Sequence, residues 1–216
     1  MKKQIWYPFG AGGNHIRWLM YFDKSFDKMH FSVDKSPDDK LKFIETNIYP
    51  KERTWHNWLS FEWKHRIKFN HIISIDSRHH LLDDGHALLL QDENQTKAII
   101  LSFNDYTECI KRYLVIFTQQ SPWSLPRIKE EIYDTYNNHI KSKTNSSFQK
   151  IIPSDVIWED VLDKKFYYDI IDFWGFEDHY EYAAKVHTLW VNCQKQALSQ
   201  FMESCKNYEY INFLKV

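Results

Sequence analysis

Glycine is scarce in this chain, with 5 in 216 residues, where average usage of ~7% would give roughly 15. That scarcity excludes collagen-like repeats and long flexible linkers, and it gives weight to every glycine present. Cysteine is also rare: Cys109, Cys193 and Cys205 are odd in number, far apart and without a C-x-x-C spacing. They encode neither a disulfide framework nor a zinc knuckle, and they suit a reducing compartment. Arginine, the side chain best shaped to grip an oxyanion bidentately, is confined to Arg17, Arg53, Arg66, Arg78, Arg112 and Arg127. No run of 18 apolar residues exists, and MKKQIWYPFG meets Pro8 and Gly10 too early for a signal-peptide core. A cytoplasmic protein with no membrane partner is expected. An excess of charge is missing too, because 28 Lys+Arg against 29 Asp+Glu leave a net of −1, so no basic surface for nucleic acid is encoded.

Aromatic residues, by contrast, are plentiful: 17% of the chain, with 9 Trp, 13 Tyr and 15 Phe. With 43% hydrophobic residues, this is the composition of a globular protein with an aromatic interior, and the length predicts a single domain over 1–216.

Hydrophobic periodicity alternates between strand and helix. Ile5 to Tyr7 read as a buried strand, followed by glycines and then helical spacing from Ile16 through Leu19 and Met20. Residues 25–50 are weakly patterned, with Pro37 and Pro50 as breaks, and predict an excursion outside the sheet. Trp55, Trp58, Leu59 and Trp63 predict an aromatic-faced helix over 53–66. His71–Asp76 and Lys97–Phe103 are β-branched or apolar runs that read as buried strands, and His86–Gln91 reads as a short edge strand. Helices are predicted over 105–118, 126–142 and 163–174, the last stopped by Gly175. The stretch KSKTNSSFQK reads as a linker and Asp155–Trp158 as a further short strand. Asp178 with Glu181 predicts a capping box for a long C-terminal helix, striped by Ala183, Val186, Trp190, Cys193, Ala197 and Phe201. Strands alternating with helices give an α/β fold, a mostly parallel sheet with helices on both faces and a helix-rich C-terminal half.

Three of the five glycines, Gly10, Gly12 and Gly13, sit together in GAGGNH between the first strand and the first helix. Backbone N–H groups at such a junction form a nest for an oxyanion, and ligands of parallel sheets bind beyond the carboxyl ends of strands. Gly10, Ala11, Gly12, Gly13, Asn14 and His15 are therefore candidates to hold a phosphate or sulfate, with Arg17 and Arg112 adding charge. The ATP-binding version of the loop, G-x-x-x-x-G-K-[ST], supplies a lysine to the terminal phosphates and a hydroxyl to Mg²⁺. Here Asn14 and His15 stand in those two places, which disfavours magnesium-dependent phosphoryl transfer and makes a divergent nucleotide kinase the weakest reading.

With Tyr7-Pro8-Phe9-Gly10-Ala11-Gly12-Gly13-Asn14-His15 after a strand, the chain resembles the P-loop sulfotransferase family. The strand His71–Asp76 followed by His79 and His80, the strand Lys97–Phe103, and Val156 to Leu162 leading to the turn Phe173–Phe176 extend the resemblance in order along the chain. The resemblance implies a P-loop fold, 3′-phosphoadenosine-5′-phosphosulfate as donor, sulfuryl transfer to a hydroxyl or amine of a small-molecule or carbohydrate acceptor, and His79 or His80 as the general base. Asp76, at a strand's carboxyl end, is a rival for that role. The family's loop lysine is replaced by Phe9, and its 3′-phosphate arginine falls near Ser102 or Phe103. These departures support an alternative, a non-catalytic nucleotide- or anion-binding P-loop protein. His79, His80 and His86 lack H-E-x-x-H or comparable ligand spacing, so no metal is expected.

Overall fold

The computed structural model describes residues 2–7, 11–24, 35–50, 72–76, 96–117, 124–141 and 145–215. The helix expected over 53–66 and the edge strand expected at His86–Gln91 lie outside them.

Four parallel strands, β1 (Lys2–Tyr7), β2 (Ile72–Asp76), β3 (Thr96–Ser102) and β4 (Gln149–Pro153), form one sheet in the order β2-β1-β3-β4. Consecutive residues of a strand point to opposite faces, and both Ile99 and Ile100 are fully buried, so the sheet is covered on both sides. Each such isoleucine contributes ~1.5–3 kcal/mol. The α/β class with a parallel sheet is as the sequence predicts.

Helix α1 (Gly13–Leu19) follows β1, and α2 (Pro37–Phe43) follows within the stretch expected to lie outside the sheet. Pro37 is a start signal here: it stands in the first helical turn, and the Ser36 hydroxyl caps the helix by accepting from the Asp39 N–H at 3.2 Å. A π-helical turn, Ile44–Ile48, extends α2 and is closed by Tyr49 N–H donating to the Ile44 carbonyl. Lys40 packs α2 onto the end of α1. Its buried ammonium donates to the carbonyls of Tyr21, Phe22 and Asp23 at 3.2 to 3.3 Å, satisfying backbone acceptors of the turn that follows the helix.

In the second half come α3 (Thr107–Phe117), α4 (Leu125–Lys141), α5 (Lys164–Trp174), α6 (Tyr180–Ser204) and α7 (Tyr208–Leu214). Asp163 caps the start of α5, and Gly175 ends it at φ 71°, as the sequence predicts. Helix α5 lies on the sheet through Lys97, whose Nζ donates to the Phe173 carbonyl, and through Lys150, which pairs with Asp169 at 2.8 Å.

Two local expectations are corrected. Asp155–Trp158 is a 3₁₀ turn and the fourth strand is Gln149–Pro153, partly within the stretch that reads as a linker. The apolar pattern of Val156 to Trp158 reports burial of Ile157 in a single turn, while the Asp155 carboxylate accepts from the N–H groups of Asn104 and Asp105 just beyond β3. The capping box at Asp178 is not formed either. Asp178 accepts from Tyr180 N–H and from the Tyr168 hydroxyl, leaving His179 at the cap position of α6. The expected apolar stripe of α6 is largely buried: Ala183, Val186, Trp190, Ala197 and Phe201 are in the core and Cys193 is half-buried.

Candidate functional site

From β1 the chain steps to one neighbour, β2, and then crosses back to the other side of β1 to form β3. The crevice at the carboxyl ends of β1 and β3 is therefore the topological switch point, where open parallel sheets bind ligands. Gly12 lies there, between β1 and α1, in the left-handed conformation at φ 71°. A side chain at Gly12 would be strained by that φ, and its β-carbon would meet Arg112 Nη1 and Trp190 Cζ2, each at 3.1 Å. Gly13 is a glycine for another reason: a β-carbon there would fall 2.1 to 2.4 Å from three carbons of the Tyr7 ring. The last residue of β1 thus packs directly on the first residue of α1.

Four segments meet beside Gly12. Arg112, buried on α3, places its guanidinium carbon 5.3 Å from the centre of the Trp190 ring. Trp190, wholly buried on α6, stacks on the His15 imidazole of α1 at 4.2 Å with the planes 3° apart. Trp158, at the end of the 3₁₀ turn after β4, stacks on Trp190 at 5.5 Å. The ends of β1, β3 and β4 are thus linked by one aromatic and cationic cluster under α6.

Beneath this cluster runs a hydrogen-bonded relay. The carbonyl of Glu159 can only accept, so the His187 Nε2 that approaches it at 2.8 Å carries the proton. Burial lowers the pKa of His187, and a neutral ring with its proton on Nε2 offers a lone pair at Nδ1. His15 Nε2, 3.2 Å away, therefore donates to that lone pair. His15 is pushed well below the usual imidazole range by burial, by His187 and by Arg112, so it too is neutral and its Nδ1 accepts from the Tyr49 hydroxyl at 3.3 Å. The π-helical turn at Ile44–Ile48 is what delivers Tyr49 to this place.

The predicted site residues fall into four groups. Ala11, Gly12, Gly13, His15 and Arg112 come together at the switch point, although the His15 side chain turns into the core and its ring nitrogens are engaged by Tyr49 and His187. Arg17 is buried in the last turn of α1, away from Gly12 along the helix, and Asn14 is placed as a backbone position of α1. Asp76 ends β2 opposite Tyr7, at the carboxyl end of the strands. Gly10, His79 and His80 lie outside the described residues.

Sequence reasoning missed Trp158, Trp190, His187 and Tyr49 as members of this cluster. Trp190 was visible only as one position of the α6 stripe, and nothing in the local sequence connects it with a loop more than 170 residues earlier. The thiol of Cys109 is buried, which pushes its pKa up, and it takes no part. Among the described residues no three His, Cys, Asp or Glu side chains group to hold a metal ion, and no helix is long and apolar enough to cross a membrane. No family model, no curated protein and no solved structure matches the chain.

Proposed function

We propose that the chain is a sulfotransferase-like transferase that binds the nucleotide 3′-phosphoadenosine-5′-phosphosulfate through an anion site at Gly10 to His15 and Arg112. One observation carries the reading: Arg112 stands against the left-handed Gly12 at the β1/β3 switch point. There a guanidinium and the backbone N–H groups of the turn suit a phosphate or sulfate oxygen. In this reading the acceptor's hydroxyl or amine attacks sulfur, the bond from sulfur to the bridging phosphate oxygen breaks, and the 3′,5′-bisphosphate leaves. The acceptor's proton passes to a base, for which His79, His80 and Asp76 are the candidates. Fixed donors at the strand ends would stabilise charge on the departing oxygens.

Isothermal titration with adenosine 3′,5′-bisphosphate tests the reading. The parent protein is expected to bind it, Arg112→Gln to weaken it by roughly tenfold or more, and Gly12→Val to abolish it. Absence of binding by the parent overturns the proposal.

A second reading, a binding protein without catalysis, is favoured by Phe9 in place of the family's loop lysine and by the engagement of His15 in the core. Transfer of labelled sulfuryl from the phosphosulfate nucleotide to any acceptor, abolished in the His79→Ala, His80→Ala double variant, would exclude it.

A further inference from the structure

The charge of Arg112 is only part of what the switch point offers. Three buried nitrogens, Trp190 Nε1 on the ring that Arg112 faces, Trp158 Nε1 and Gln194 Nε2, have no hydrogen-bond partner among the described residues. A buried N–H without an acceptor costs about 1–3 kcal/mol, and such groups are rare in folded proteins. These three belong to one patch. Trp158 stacks on Trp190, and Gln194 follows Trp190 by one helical turn of α6, on the same face. Trp190 approaches Gly12 with its Cζ2–Cη2 edge, and Arg112 Nη1 approaches the same point.

We propose that the indole N–H groups of Trp158 and Trp190, with the Gln194 carboxamide, are the neutral half of an oxyanion site whose positive half is Arg112. The inference rests on the anion-binding reading above and assigns to it residues from the C-terminal half of the chain. Indole and guanidinium groups donate and do not accept. A cluster dominated by them favours an oxyanion that carries no proton of its own, a sulfuryl group or a fully ionised phosphoryl group, because among these four side chains the Gln194 Oε1 alone can accept. The stacks of His15, Trp190 and Trp158 hold the rings in place before a ligand arrives, so little ordering is required on binding.

The test uses the full chain with ¹⁵N-labelled tryptophan, titrated separately with inorganic sulfate and with adenosine 3′,5′-bisphosphate. The indole signals of Trp158 and Trp190, assigned by Trp158→Phe and Trp190→Phe, are expected to move downfield with sulfate while the other indoles stay. Each Phe variant, which keeps the ring stack and deletes the donor, is expected to weaken sulfate binding about tenfold, as is Gln194→Met. If one Phe variant fails to fold, the signal assigned by the other and the Gln194→Met affinity still decide. Nucleotide binding with unmoved Trp158 and Trp190 signals overturns this inference and leaves the anion-binding reading intact. Sulfate-induced shifts without nucleotide binding uphold the inference and overturn the nucleotide. Absence of both overturns the two together.

Discussion

His15 and His187 are imidazoles buried in neutral form, and burial lowers the pKa of each from the ordinary 6.5. The unfolded chain therefore binds protons that the folded chain refuses as the pH falls through about 6.5. Their contribution to stability is complete above that pH and is lost below it, at ~1.4 kcal/mol per pH unit for each ring until its folded-state pKa is reached. Urea denaturation at pH 7.5, 6.5 and 5.5 is expected to show the decline, and the double variant His15→Gln, His187→Gln to show a shallower one. Equal slopes in parent and variant would refute this assignment of charge. The same residues show why the site was only half legible. A histidine after a glycine loop reads as a ligand group, but whether its ring faces an anion or the core depends on Tyr49 and His187, which only the tertiary structure brings near.

At the scale of elements, two glycines that look alike in sequence have different physical reasons. Gly13→Ala would drive a methyl group into the Tyr7 ring, and a cost of ~3 kcal/mol or more is expected. Gly175 sits at φ 71° with nothing within 4 Å of an added β-carbon, so Gly175→Ala costs only the left-handed backbone, ~1 kcal/mol. Urea midpoints of the two variants separate the cases, and similar losses would contradict the packing of Tyr7. Gly175 was readable because a C-cap is a local matter. Gly13 was readable as part of a special loop but not as a packing surface, because its partner lies on the strand before. The displaced fourth strand has a similar origin: Asp155 to Trp158 has strand-like composition, but Asp155 is drawn to the N–H groups of Asn104 and Asp105, and Gln149 to Pro153 pair with β3 instead. Pro37 reads as a break by itself, but within Ser36-Pro37-Asp38-Asp39 it is a local helix-start signal.

For the molecule as a whole, the candidate site joins α1, α3, α6 and the turn after β4, so a ligand that binds there stabilises most of the fold together. At a hundredfold excess over its dissociation constant, adenosine 3′,5′-bisphosphate should add ~2.7 kcal/mol. For a chain of this size that is a rise in melting temperature of roughly 5–10 °C. Scanning calorimetry of the parent and of Arg112→Gln checks this, and an equal rise in both would place the ligand elsewhere. The parallel α/β class was legible because it is repeated in every strand and helix. Strand order and the convergence of Arg112, Trp158 and Trp190 were not, since each depends on contacts between distant parts of the chain.

The contact between His15 and His187 spans 172 positions. During synthesis His15 is made long before its stacking partner Trp190 and its hydrogen-bond partner His187. A nascent chain halted anywhere before α6 holds a strand and its glycine turn but no finished site. The cluster beside Gly12 is thus completed only when α6 docks across the strand ends.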